Sequence, residues 1–206
     1  MDPVVRAFDA IAERYAEDFA DELERKPFDR DQLDRFASGC PAGLVVDVGC
    51  GAAGHVGAYL ARRGRQVVGL DASVRSLTVA AHRVDQVSFV AGDLRGLPLR
   101  DGSVAGIVAF YCHIYDDLGE LERELVELHR VLRPGGWLLA ATHAGSGAEH
   151  FDDYQGIEVD VTIVLRDPDE FAAAAARAGF DVGAVTVRPP YPDEHAWDRL
   201  YVLATA

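Results

Sequence analysis

Positive charge is scarce in this sequence. Its 206 residues hold 34 acidic against 20 basic side chains, a net charge of −14. Such a surface repels nucleic-acid phosphates and anionic membranes, so neither is expected as a partner. Lysine is nearly missing: Lys26 stands alone, and the preference for arginine with abundant alanine points to a GC-rich bacterial genome. Cysteine is also rare. Cys40, Cys50 and Cys112 are an odd count without metal-ligand spacing, which argues against a disulfide framework or a zinc site. No apolar run is long enough for a membrane span, and the start, Met1-Asp2-Pro3-Val4-Val5-Arg6, is too polar for a signal peptide. A cytoplasmic protein without a bound metal is the expectation.

What is present centres on Leu44-Val45-Val46-Asp47-Val48-Gly49-Cys50-Gly51-Ala52-Ala53-Gly54-His55. An apolar run that ends in an acid and breaks into glycines at G-x-G-x-x-G spacing reads as a buried strand, a tight turn and a helix start. Glycine there lets the backbone approach a ligand and lets the helix pack on its strand. Asp71 closes a second apolar run, Gln66-Val67-Val68-Gly69-Leu70, at the distance where a carboxylate meets ribose hydroxyls. Asp93 closes a third, Val87-Ser88-Phe89-Val90-Ala91-Gly92. A nucleotide pocket follows from the three together.

These residues resemble the class I S-adenosylmethionine-dependent methyltransferases of the small-molecule type. The family's D-x-G-x-G-x-x-G turn stands here as Asp47, Gly49, Gly51 and Gly54. Its acid after strand two matches Asp71, its G-D-L matches Gly92-Asp93-Leu94, and its turn before strand five matches Leu132-Arg133-Pro134-Gly135-Gly136. The likeness is strong over residues 40 to 143 and loose elsewhere. It implies a Rossmann-like, doubly wound α/β fold with a seven-stranded, mostly parallel sheet, one antiparallel strand and helices on both faces. The implied cofactor is S-adenosylmethionine, with S-adenosylhomocysteine as product. Gly49 and Gly51, with Cys50 between them, would lie against its methionine portion, Asp71 and Ala72 against the ribose, and Asp93 with the Leu94 amide against the adenine. Gly92 and Phe110 complete that set, and Asp47 would act through neighbours or water near the amino group.

Residues 1–206 are read as one domain, monomeric or homodimeric, large enough for an ordinary core. Val4, Phe8, Ile11, Tyr15 and Phe19 share one face of a helix over 3–24, with Asp2 before Pro3 as its cap. In the resemblance this helix lies over the active site with Tyr15 pointing inward; an ordinary apolar stripe on the sheet edge is the other reading. A short helix over 31–36 follows, and residues 1–40 form a helical lid. The cofactor core spans 41–143, with strands at 66–71, 87–91, 104–110 and 136–142 and helices at 55–63, 73–83 and 119–131. Residues 144–166 read as an inserted loop and strand that serves as a substrate lid. The remainder, 167–206, completes the sheet through a helix and strands at 181–187 and 200–205.

Methyl transfer from a sulfonium needs alignment more than a protein nucleophile, though a hydroxyl or protonated amine acceptor needs a base. His113, after strand four in Phe110-Tyr111-Cys112-His113-Ile114-Tyr115, is the foremost candidate, since that end faces the methyl group in the family. A structural role for a loop histidine stays open beside it. His143 and His150 follow strand five, and His195 would reach the pocket only if the last turn folds back. The expected activity is methyl transfer to oxygen or nitrogen of a small molecule.

Other readings have less support. A nicotinamide-dependent oxidoreductase would share the glycine turn, but a short-chain enzyme needs Tyr-x-x-x-Lys, and Glu22 occupies the position four before Lys26. A non-catalytic S-adenosylmethionine-binding protein would keep the same motifs. Pro189-Pro190-Tyr191 follows the sixth strand rather than the fourth. Asp116-Asp117 and Asp152-Asp153 lack the Asp-Asn pair after strand five that a catechol-type magnesium site wants.

Overall fold

The computed structural model describes residues 2–115 and 117–206. Helix α1 (Pro3–Phe19) starts as expected, with Asp2 accepting the Val4 amide at 2.9 Å. It stops short of residue 24 and gives way to a 3₁₀ turn, Glu22–Arg25. A continued helix would gather Glu17, Asp18, Asp21 and Glu22 at the negative end of its dipole with no base in the last turn of α1. Helix α2 (Pro27–Gly39) is longer than the 31–36 expected, because Pro27 occupies a first-turn position and starts it early.

The core alternates β1 (Leu44–Val48), α3 (His55–Arg62), β2 (Gln66–Asp71), α4 (Val74–Arg83), β3 (Ser88–Ala91), β4 (Val104–Phe110), α5 (Leu118–Val131) and β5 (Leu132–Ala144). Strand β5 begins earlier than 136, since Leu132 already pairs with Val104. The Arg133 to Gly136 stretch is accommodated as a register shift before Trp137 meets Gly106. A hairpin of β6 (Ala148–Tyr154) and β7 (Ile157–Val164) follows, then α6 (Pro168–Arg177), β8 (Asp181–Arg188) and β9 (Asp198–Thr205). The 144–166 segment is therefore a two-stranded sheet of its own, where one strand was expected.

The main sheet runs β3-β2-β1-β4-β5-β9-β8. Strand β9 is antiparallel to both β5 and β8, and the other pairs are parallel. Neighbouring residues alternate between faces. Val46, Ile107 and Leu138 pack with Leu125 and Leu128 of α5 and Phe171 of α6, while Val45, Val108 and Leu139 pack with Leu33 and Phe36 of α2 and Leu60 of α3. Strand order reverses at β1, with β2 on one side and β4 on the other, which places ligands beyond the carboxyl ends there. No described helix is long and apolar enough to cross a membrane.

Candidate functional site

A cavity of about 610 Å³ lies across the carboxyl ends of the strands. Its floor is the glycine turn. The Gly49 and Cys50 amides both donate to the Leu70 carbonyl, at 2.7 and 3.1 Å, which locks the end of β1 to β2. Gly49 and Gly51 have φ of 66° and 61°, the left-handed region that side chains resist. A β-carbon on Gly49 would also fall 2.4 Å from that of Cys112.

Asp71 ties the turn down. Its Oδ2 accepts the Gly51 amide at 2.9 Å and its Oδ1 the Ser73 amide at 2.8 Å. Burial raises its pKa above the usual carboxylate range. Asp93 is clasped by Arg95, whose amide and Nε donate to Oδ1 at 2.9 Å and whose second nitrogen reaches Oδ2 at 2.6 Å. Those bonds hold its carboxyl below the usual range. Gly49, Gly51, Asp71, Ala72, Gly92, Asp93, Leu94 and Phe110 all line the cavity.

Three residues of the motif lie elsewhere. Asp47 is 2% exposed and faces a recess of about 40 Å³ beneath the turn, shared with Cys50 and His55. Its Oδ2 accepts the Gly57 amide at 2.8 Å and so holds the first turn of α3. Burial pushes its pKa up to about 7. Cys50 is buried and its thiol is pushed up by burial, which leaves it unreactive. Gly54 is the left-handed N-cap of α3 and packs against Phe89 and Ala80.

The roof comes from α1 and the hairpin. Asp9 accepts the Ser73 hydroxyl at 2.6 Å, and Arg75 pairs with Glu13, which docks α1 on the start of α4. Tyr15 lies over Gly51, its Cε1 3.6 Å from where a β-carbon would stand, with Phe8 and Phe19 against its ring. Tyr15 thus points inward, as the resemblance implied, and burial pushes its phenol well above the usual value. The hairpin closes from the other side: Ala7, Ile11 and Val159 form a small core, and Asp18 accepts from Tyr154 at 2.8 Å and Gln155 at 2.7 Å.

His113 does not face the cavity. It is fully buried, its Nδ1 2.6 Å from Oε2 of Glu124 on α5, while Arg166 donates to its carbonyl at 2.8 Å. Burial opposes its charge, but Cys112 and Glu124 hold its pKa well above the usual value. Turned into a buried pair with Glu124 and absent from the cavity wall, His113 is not placed to take a proton from an acceptor there, and that expectation is corrected. His150 is exposed and bonds Thr162 on the hairpin. His143 does line the cavity, between the rings of Tyr111 and Trp197 at 5.0 Å each. Burial, helped by Arg199, His195 and Lys26, lowers its pKa to about 3, so it is neutral. The last turn does fold back, and His195 lines the cavity stacked on Trp197.

A buried polar network beside the cavity escaped the sequence reading. Lys26 bonds Glu22 and reaches Glu194 at 2.9 Å; Arg188 reaches Glu194 at 2.7 Å and Asp29 at 3.0 Å; Tyr201 donates to Asp29 at 2.6 Å. Burial works against the charge of Glu22, yet His55 and Lys26 outweigh it and bring its pKa to about 2. The sequence signal was there in charged residues within otherwise apolar strands, such as Arg188 and Arg199. Among the described residues no group of three His, Cys, Asp or Glu is arranged to hold a metal ion, and Asp116 of the dismissed magnesium pair lies outside them.

Residues 46–140 match the family model described as a methyltransferase domain. The malonyl-[acyl-carrier protein] O-methyltransferase of Serratia marcescens is 33% identical over 156 residues, which are 75% of this chain and 58% of that one. The chain spans about half the length of the curated relatives it matches. The 1,6-didemethyltoxoflavin-N1-methyltransferase of Burkholderia thailandensis, with 1,6-didemethyltoxoflavin and S-adenosylhomocysteine bound, superposes with a TM-score of 0.75 at 19% identity. That match covers all of this chain and 90% of the other. The glycopeptide N-methyltransferase MtfA, complexed with S-adenosylmethionine, gives 0.68 at 18% identity over 85% of this chain and 93% of that one. The glycine turn, the acids after β2 and β3, the strand order and these likenesses converge on a methyltransferase domain over residues 46–140, of the class I S-adenosylmethionine-dependent kind.

Proposed function

We propose that this chain transfers a methyl group to an oxygen or nitrogen of a small molecule. The observation that carries the reading is the roof. Helix α1 and the β6–β7 hairpin meet over the cavity through Ala7, Ile11 and Val159, which favours an acceptor small enough to be enclosed. The cavity volume falls in the range of ordinary ligand pockets, roughly 300–1,000 Å³. The net charge of −14 argues against nucleic acid as acceptor. The Serratia relative is named for O-methylation and the Burkholderia neighbour for N-methylation, which supports either atom.

The residues fit the cofactor. Each Asp71 oxygen takes one main-chain N–H and keeps a lone pair for a ribose hydroxyl. Gly49 and Gly51 on the cavity floor suit the methionine portion, and Asp93 with Leu94 the adenine. When bound, S-adenosylmethionine supplies a methyl carbon activated by its sulfonium. Tyr15 and His143 face the same cavity, Tyr15 as a neutral phenol and His143 as a neutral imidazole able to receive a hydrogen bond. The 1–40 and 144–166 segments act as the substrate lid around the 41–143 core.

The test is a transfer assay with S-adenosylmethionine labelled in its methyl group, run against pools of phenols, nitrogen heterocycles, amines and carboxylic acids. Label in the small-molecule fraction is the expected result. Label confined to protein or RNA, or cofactor binding with no transfer to any pool, overturns the reading. Exchange of the 144–166 insert with that of a relative should change the acceptor and leave cofactor affinity alone.

A further inference from the structure

The strand order divides the cavity. Its glycines and acids, Gly49, Gly51, Asp71 and Asp93, sit at the ends of β1, β2 and β3 on one side of the reversal point. Beyond β4, β5 and β9 the wall changes character. Tyr111 follows β4, His143 ends β5, Phe151 comes from the hairpin, and His195 and Trp197 come from the β8–β9 connection. Their rings form an unbroken series. Tyr111 to His143 and His143 to Trp197 are 5.0 Å between centroids, His195 stacks on Trp197 at 4.9 Å and 13°, and Phe151 meets Trp197 at 6.2 Å.

We propose that the acceptor is an uncharged flat aromatic or heteroaromatic molecule with a ring N–H or phenolic O–H, seated on the Trp197 side of the cavity and hydrogen-bonded to His143. This rests on the methyl-transfer reading above and names its acceptor class. Three observations carry it.

The first is the wall itself, five aromatic or imidazole rings from four separate stretches of chain, with Trp197 only half-buried and lining the cavity. Ring faces in offset or edgewise contact are the surface that another π-system matches best. Tyr111 stands in the left-handed region, at φ 57°, a conformation uncommon for a non-glycine residue.

The second is His143. Only 9% of it is exposed, its Nδ1 is buried without a partner, and no described residue hydrogen-bonds its ring. Buried polar groups are nearly always satisfied. A neutral imidazole on a cavity wall with no protein partner has hydrogen-bonding capacity left for a ligand.

The third is charge. Lys26 is engaged by Glu22 and Glu194, and Arg199 donates to the His195 carbonyl at 3.4 Å and to that of Trp197, with Glu194 at 3.6 Å. The cations of this half are thus already compensated, and of the acids that also line the cavity Glu124 pairs with His113 and Asp193 with Arg25 at 3.2 Å. An acceptor that carries a carboxylate would find each of these cations already paired, and burying its charge without a partner is costly.

The test uses the whole protein saturated with S-adenosylhomocysteine. The probes are 4-hydroxyquinoline and lumazine, their N- or O-methylated forms, and cyclohexanecarboxylate. Binding is followed by calorimetry and by Trp197 emission in a Trp137→Phe background, which leaves Trp197 as the one tryptophan. At least one flat probe should bind below millimolar and quench Trp197, with its methylated form at least tenfold weaker. His143→Leu should erase that difference and His143→Gln keep part of it, both with unchanged S-adenosylhomocysteine affinity. Failure of both flat probes on cofactor-loaded protein, equal binding of methylated and unmethylated forms, or tighter binding of cyclohexanecarboxylate overturns the proposal alone. Failure of S-adenosylhomocysteine to bind overturns the underlying reading with it.

Discussion

Asp71 holds Gly51 across two strands: its Oδ2 accepts the Gly51 amide at 2.9 Å, while its Oδ1 caps Ser73 at 2.8 Å. One carboxylate thus shapes the glycine turn and lines the cavity above it. Asp71→Ala strips both amides of their acceptor, at a cost of about 1–3 kcal/mol for donors left unmade. The expected outcome is a lowered melting temperature and an S-adenosylhomocysteine affinity at least tenfold weaker by calorimetry. A folded Asp71→Ala variant with unchanged affinity would remove Asp71 from the cofactor site.

Gly49→Ala combines a left-handed backbone with a β-carbon 2.4 Å from that of Cys112. The strain is about 1–2 kcal/mol, and overpacking adds about 1–3. Replacement of Cys112 by Gly removes the colliding atom and leaves the backbone strain. Denaturant unfolding should therefore give a positive coupling between Gly49→Ala and Cys112→Gly, with the pair less destabilised than the sum of the singles. Strict additivity would mean that the turn relaxes away from Cys112.

Most of this floor was legible in the sequence, because glycines and acids at strand ends are local signals with few structural alternatives. Helical spacing put Tyr15 on the apolar face of its helix, but that the face covers the cavity came from the family resemblance, because spacing alone equally fits packing on the sheet edge. His113 was not legible. A loop histidine's direction depends on its partner, and Glu124 lies on a helix that chain order alone does not bring beside it. The same holds for His195 and Trp197, whose place in the cavity depends on how the β8–β9 connection folds back against Phe151 of the hairpin.

Asp47 ties pH to stability. Its folded pKa is raised to about 7 by burial, against about 3.9 for a free aspartate. A raised folded pKa favours the protonated form, so its contribution is fully present below pH 4 and lost as pH rises through 7. The span is on the order of 4 kcal/mol. Asp47→Asn keeps an oxygen for the Gly57 amide and cannot ionise. Melting temperatures from pH 4 to 8 should show the variant gaining steadily on the wild type. A constant offset across that range would show that Asp47 does not titrate there.

His113 and Glu124 are a buried pair, 0% and 3% exposed. Removal of one partner strands the other, at about 3–5 kcal/mol, whereas replacing both with apolar residues costs far less. His113→Leu and Glu124→Leu should each lower stability more than the double variant does. If His113 were instead a base, His113→Leu would leave stability intact and abolish turnover. Chemical denaturation beside a transfer assay separates the two.

Asp18 latches the roof, accepting Tyr154 at 2.8 Å and Gln155 at 2.7 Å from the turn of the hairpin. These are exposed or half-exposed bonds, each worth about 0.5–1.5 kcal/mol, so their loss should loosen the hairpin without unfolding the sheet beneath it. Asp18→Ala should raise amide hydrogen exchange across 148–164 by several fold and leave 44–71 unchanged. Cofactor affinity should move little, because the glycine turn and Asp71 lie on the main sheet rather than on the hairpin. Equal exchange in both proteins would place the hold on the hairpin elsewhere, in the apolar contacts of Ala7 and Ile11 with Val159, and Ile11→Ala would then be the variant that opens it.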